Sequence, residues 1–183
     1  TGPNNYSNSF KLKAGDSKTL ENLVPGKYTV TENKTNAAID GFDLEVTGDG
    51  EVTVAANATA EATVTNTYKQ QLGSLKVTKA LGAGAPDGAS DTEYEFTVTG
   101  PNNYSNSFKL KAGEYKIIED LVPGTYTVTE NKTKAAIDGY DLEVSGDGEV
   151  TVVAKATALA TVTNTYEDNS SSTKGKLKIT KAL

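Results

Sequence analysis

The sequence has no cysteine, histidine, methionine or tryptophan. Without cysteine there is no disulfide, thiol nucleophile or thiolate metal site. Without histidine the commonest general base and the commonest metal ligand are both missing. A Ser-His-Asp triad is excluded, and neither a metal nor a cofactor is expected. No apolar run is long enough to cross a bilayer as a helix, so membrane insertion is not expected. Lys and Arg number 18 against 24 Asp and Glu, a net charge of -6, and no basic patch suggests nucleic acid.

What remains is rich in Thr, Val, Gly and Asn, and poor in long Leu- and Ala-based periods. That composition indicates an all-β chain. Residues 1–68 recur at 99–166 without a gap, 56 of the 68 positions being identical. LKVTKAL at 75–81 returns as LKITKAL at 177–183. These offsets predict a truncated repeat at 1–68, a linker at 69–72, a complete repeat at 73–166 and a flexible linker at 167–174. Residues 175–183 are then the first strand of a further repeat, or a strand donated to a neighbouring chain. The chain reads as a two-repeat period cut from a longer array, whose first repeat lacks the equivalents of Gly73–Val98.

Within the complete repeat, period-2 patterns predict strands over Ser74–Leu81, Glu93–Thr99, Ser107–Lys111, Tyr115–Ile118, Thr125–Glu130, Tyr140–Ser145, Glu149–Val153 and Ala158–Tyr166. Gly, Pro, Asn and Asp cluster between them, as turns require. Asp147-Gly148 and Asp49-Gly50 read as tight hairpins, and NKTKAAID as one helical turn or an irregular loop. Seven or eight short strands per repeat point to tandem immunoglobulin-like β-sandwiches.

Side chains two apart share a strand face. Lys79 therefore ends the row of Leu75 and Val77, Glu130 ends that of Tyr126 and Val128, and Asn164 continues that of Ala158, Ala160 and Val162. The corresponding residues are Glu32 and Asn66 in the first repeat and Lys181 in the tail. A buried Lys loses its proton readily and becomes a nucleophile. A buried Glu that keeps its proton can donate to the Asn side-chain oxygen and polarise its carbon. Attack by the amine then expels ammonia and leaves an amide. The same three residues also fit a plain buried Lys–Glu ion pair with Asn hydrogen-bonded nearby.

LVPGTYTVTEN followed by DGY, then ATVTNTY, with LKVTKAL in front, resembles the Cna B-type (SpaA-like) domains of Gram-positive surface proteins. The matching positions are Pro123, Gly124, Tyr126, Glu130, Gly139 and Tyr140, with Lys79 rather than Lys76 as the reactive lysine and Asn164 as the reactive asparagine. The resemblance implies a spontaneous Lys79–Asn164 isopeptide bond, with Glu130, and Glu32 in the first repeat, as acid–base catalysts. Lys181 can meet Asn66 only between molecules. The sequence departs from that family's pattern at Leu81, where an acidic residue is usual, and in KTKAAID, which lacks the usual proline.

The function implied is a stalk or fibre repeat of an extracellular, cell-surface adhesin or pilus-like protein, not a multiple-turnover enzyme. Expected partners are neighbouring repeats and, head-to-tail, other copies of the chain. The alternative is an adhesive module that binds a host or matrix ligand through its loops. The 12 differences between the repeats read as scattered rather than gathered in loops. GDGE lacks the ligand spacing of a calcium loop and reads as a turn. The Asn-x-Ser/Thr sequons at Asn5, Asn33, Asn57, Asn103 and Asn131 are expected by chance in such a composition, and NNYSNS reads as a solvated turn.

Overall fold

The computed structural model describes residues 1–169 and 177–181. The chain forms two compact units, Thr1–Gln70 and Gln71–Leu183.

The second unit is an eight-stranded sandwich: β5 (Gly73–Leu81), β6 (Tyr94–Gly100), β7 (Tyr104–Leu110), β8 (Tyr115–Leu121), β9 (Gly124–Glu130), β10 (Tyr140–Ser145), β11 (Gly148–Val152) and β12 (Thr157–Asp168). One sheet has the order β10-β12-β5-β8 and the other β11-β9-β6-β7. All eight expected strands are present. Each inner face follows the alternation: in β5 residues 73, 75, 77 and 79 are buried and the intervening ones are less so. Leu75, Val77, Tyr94, Phe96, Val98, Tyr126, Val128, Val152 and Val162 fill the space between the sheets.

The first and last strands of this unit are neighbours. β12 pairs with β5 in parallel, Thr157–Asn164 against Ser74–Leu81, and every other pairing in the unit is antiparallel. β8 runs on past the expected end at Ile118, taking in Asp120 at φ +57, and the register with β5 shifts between Gly73 and Leu75. NKTKAAID contains the helical turn α2 (Lys132–Ala135), capped by the Asn131 side chain on Lys134 N–H.

The expected Asp-Gly hairpin does not form. β10 pairs with β12 and β11 with β9, so Gly146-Asp147 carries the chain from one sheet to the other. Gly146 sits at φ +76, and a Cβ there would strike the Thr161 carbonyl oxygen. This close crossing over β12, rather than a two-residue turn, is what the glycine serves.

The first unit has β1 (Gly26–Val30), α1 (Lys34–Ala37), β2 (Phe42–Thr47), β3 (Gly50–Val54) and β4 (Thr65–Gln70), in two two-stranded sheets, β1-β3 and β2-β4. Residues 1–12 and 99–110 are identical, yet 104–110 is a strand and 7–12 is not. In the second unit β6 supplies the pairing partner of that strand; the described residues hold no counterpart of β6 beside 7–12. Backbone groups without a partner stay with water, and Leu12 is 48% exposed where its twin Leu110 is 5%.

Residues 69 and 70 of the expected first linker extend β4, and 167 and 168 of the second extend β12. Residues 170–174 of that linker, and 175, 176, 182 and 183 of the expected third-repeat strand, lie outside the described residues. Leu177–Lys181 is described and is not a strand; Leu177 and Ile179 are 86% and 83% exposed. Its alternating pattern needs a sheet edge to become one.

Candidate functional site

Three apolar rows end at one place in the core of the second unit. Lys79 comes from β5 and Asn164 from the adjacent β12, while Glu130 faces them from β9 in the opposite sheet. These are the buried polar or charged residues among those described, at 0%, 0% and 2% exposure respectively. The parallel register sets Lys79 opposite Val162 and Asn164 opposite Leu81. Lys79 Nζ lies 3.2 Å from Glu130 Oε2, and Asn164 Nδ2 donates to Glu130 Oε1 at 2.6 Å. The carboxyl group thus bridges an amine and an amide, one on each oxygen. Lys76, on the other face of β5, points outward over the Tyr115 ring, 4.0 Å from its centroid.

Burial lowers the pKa of the Lys79 ammonium below its usual 10.5, and the charge and hydrogen bond of Glu130 pull it back up. The remaining neighbours of the amine are the Val162 carbonyl, to which it donates at 3.4 Å, and the face of Tyr94, 4.5 Å to the centroid. The Tyr94 hydroxyl donates to the Ala89 carbonyl and meets the Tyr166 hydroxyl at 3.3 Å. Tyr166 in turn donates to the Ala135 carbonyl in α2. Burial first, and the Tyr166 hydrogen bond second, push the Tyr94 hydroxyl above the usual tyrosine range. Tyr94 escaped the sequence reading, although it begins the inward row of Phe96 and Val98 and the same period-2 argument would have found it.

The amide is turned the other way from the expectation. Its nitrogen, not its oxygen, faces the acid, and Asn164 Oδ1 is buried without a hydrogen-bond partner. Glu130 Oε2 lies 3.2 Å from Lys79 Nζ and Oε1 accepts from the amide N–H, so the amide presents its donor side to the acid.

In the first unit half of this arrangement recurs. Asn66 Nδ2 donates to Glu32 Oε1 at 2.8 Å, the Tyr68 hydroxyl to the Ala37 carbonyl at 2.8 Å, and the Tyr28 hydroxyl to the Val24 carbonyl at 2.8 Å. Glu32 Oε2 and Asn66 Oδ1 are buried without hydrogen-bond partners. Lys181, expected to complete the set, is exposed in the tail.

Three of the 12 repeat differences that read as scattered in sequence converge in space. In the second unit Tyr115, Ile117 and Leu159 gather around Lys76 on the outer face of the β10-β12-β5-β8 sheet, and all three are exposed. Their counterparts are Ser17, Thr19 and Glu61.

The complete unit is therefore an all-β, immunoglobulin-like two-sheet sandwich with a Lys–Glu–Asn cluster sealed in its core. The chain belongs to the family described as Domain of unknown function (DUF5979), whose model matches residues 1–69 and 75–167. Among solved structures it is similar to a bacterial adhesin from Mobiluncus mulieris that contains intramolecular disulfide, isopeptide and ester bond cross-links. The identity there is 24% over 65% of this chain and 52% of that one, with a TM-score of 0.43. It is also similar to GBS52, the minor pilin of the Gram-positive pathogen Streptococcus agalactiae (14% identity, 76% of this chain and 63% of that one, TM-score 0.40). A third is the major pilin T3.2 of Streptococcus pyogenes (20% identity, 82% and 65%, TM-score 0.38). This chain spans about half the length of the adhesin. No curated protein matches it.

Proposed function

We propose that the chain is a structural repeat of an extracellular stalk or fibre, in a Gram-positive surface adhesin or pilus-like protein, and that its complete unit ties its first strand to its last by a Lys79–Asn164 isopeptide bond. The observation that carries this reading is the Glu130 carboxyl group placed between Lys79 Nζ and Asn164 Nδ2, all three residues buried in the core. The Cna B-type motif resemblance assigns the same three residues.

The chemistry follows from which atom faces which. Oε2 takes a proton from Lys79 Nζ, and burial, which disfavours both charges, assists that transfer. The neutral amine attacks Asn164 Cγ, the C–N bond forms and the Cγ–Nδ2 bond breaks. Nδ2, held against the acid, takes the proton that the carboxyl group delivers and leaves as ammonia, while the attacking nitrogen gives up its second proton to the carboxylate, which ends as the neutral acid. Folding holds the reactants in contact, and the effective concentration that results lets one slow turnover proceed without a further catalyst. The product is a neutral amide in place of a buried ion pair. The bond joins two strands that are already neighbours, so it asks for no rearrangement of the sheet.

Intact-mass measurement tests the proposal. The expected mass is that of the sequence less one ammonia, with the linkage mapped to Lys79 and Asn164 by proteolysis. A full sequence mass would leave the plain ion pair as the function of these residues.

A further inference from the structure

Two loops start beside the Lys79–Glu130–Asn164 cluster. Residues 82–93 follow β5 and residues 131–139 follow β9. Gly82 N–H donates to the Asn164 carbonyl at 2.8 Å, and Asn131 N–H to the Glu95 carbonyl at 2.9 Å, so both loops are pinned where they leave their strands. Each contains one helical turn, Ala89–Asp91 in the first and α2 in the second, and each turn buries a single alanine, Ala89 or Ala135. The carbonyl of each alanine accepts a tyrosine hydroxyl, from Tyr94 at 2.9 Å and from Tyr166 at 2.7 Å. The two hydroxyls meet at 3.3 Å. Two phenolic protons thus serve three contacts, and the pair joins one loop to the other.

The pair also adjoins the reacting groups. The Tyr94 ring centroid is 4.5 Å from Lys79 Nζ, and Tyr166 stands two residues after Asn164 on the same inward face of β12. Both tyrosines are buried, and the side chains of Lys79 and Glu130 have no exposed surface.

That closure bears on the chemistry. Asn164 Cγ is open to attack by an amine or by water, and both routes expel Nδ2 as ammonia. The amine gives the amide to Lys79. With water, oxygen adds to Cγ, the Cγ–Nδ2 bond breaks, and Nδ2 takes a proton and leaves. Position 164 then carries an aspartate and Lys79 stays a free amine; one water is consumed, and nothing is oxidised or reduced. A closed site suppresses such hydrolysis.

We infer that Tyr94 and Tyr166 are positioning residues that set this choice: their hydroxyls hold the two loops shut over the cluster, so that Lys79 rather than water reaches Asn164. The inference rests on the Lys79–Asn164 reaction proposed above. Tyr126 offers the comparison. It is as buried as Tyr94, but its hydroxyl donates to the Val122 carbonyl at 2.9 Å, in the turn before its own strand rather than in either loop.

The test expresses the full chain and its Tyr94→Phe, Tyr166→Phe and Tyr126→Phe variants, measures intact mass and maps position 164 by proteolysis. Phenylalanine keeps each ring and removes the hydroxyl alone, so the core stays filled. The unsubstituted chain should be linked throughout. Tyr94→Phe and Tyr166→Phe should each raise the share of chains with aspartate at position 164, an ammonia lost but a water gained, roughly tenfold, the scale of one lost hydrogen bond. The double variant should exceed either, and Tyr126→Phe should match the unsubstituted chain. Full linkage in every variant would overturn this inference and leave the proposed function standing. So would unlinked variants that keep the asparagine, since water would not have entered. Aspartate appearing equally in Tyr126→Phe would also overturn it, by making the effect a general loosening of the core. An unsubstituted chain at full sequence mass would overturn both readings.

Discussion

Asn164→Ala separates a covalent tie from a buried ion pair. The substitution removes the electrophile but leaves Lys79 and Glu130 facing each other. The tie joins residues with 84 others between them, and the chain-entropy treatment of a cross-link closing a loop of that size gives about 4.6 kcal/mol. For a domain of this length each kcal/mol moves the midpoint by roughly 4–8 °C, so the tie alone accounts for a drop of roughly 20–35 °C. Calorimetry of the full chain should show the transition of the second unit fall by at least the lower figure. Val162→Ala, two residues earlier and equally buried, sets the scale of an ordinary truncation, about 2 kcal/mol. A fall for Asn164→Ala no larger than for Val162→Ala would refute the reasoning, since no entropic tie would then have been lost.

Other outcomes follow from the same geometry. Glu130→Gln should prevent ammonia loss in intact-mass spectra and, by stranding a buried amine, cost about 3–5 kcal/mol beyond the tie; retained ammonia loss would remove Glu130 from the reaction. In the uncross-linked Asn164→Ala background, the lowered pKa of Lys79 means that the unfolded chain binds more protons there than the folded one. Stability should therefore rise with pH on approach to 10, relative to a variant that also carries Lys79→Met; denaturant midpoints that fall over that range would reverse the sign. Hydrogen exchange should find amides of 7–12 unprotected and those of the identical 105–110 protected, and equal protection would mean that the first unit forms the strand. Leu159→Glu, which copies Glu61 into the second unit, should change stability by less than about 1 kcal/mol in urea titrations, because Leu159 is 72% exposed.

The eight strands were legible because each is a short period-2 row between turn residues. The meeting of Lys79, Glu130 and Asn164 was legible because each closes such a row. What sequence could not supply is anything that depends on which strand lies beside which. Asp147-Gly148 has the chemistry of a hairpin, but β10 pairs with β12 and β11 with β9, in different sheets. The strand propensity of YSNSFKL is the same at both of its positions, and only the copy beside β6 is a strand. The amide's orientation, nitrogen toward Glu130, is a side-chain rotation that spacing does not encode. The patch of Tyr115, Ile117 and Leu159 was invisible because its members stand 44 positions apart at the extremes and meet only across three strands.

The parallel pairing of β5 with β12 also governs how such a repeat is made. During synthesis β5 emerges first, and its permanent neighbour emerges last, so Leu75 and Val77 wait with their apolar faces open until residue 157 and those beyond it leave the ribosome. In the meantime a nearly identical last strand from the repeat before is already available: 58–68 and 156–166 differ only at Glu61 and Leu159. Side-chain identity gives the waiting strand little means of telling one from the other. Correct closure of each repeat in an array is then a contest of timing, and tandem copies this similar are exposed to strand exchange while they fold.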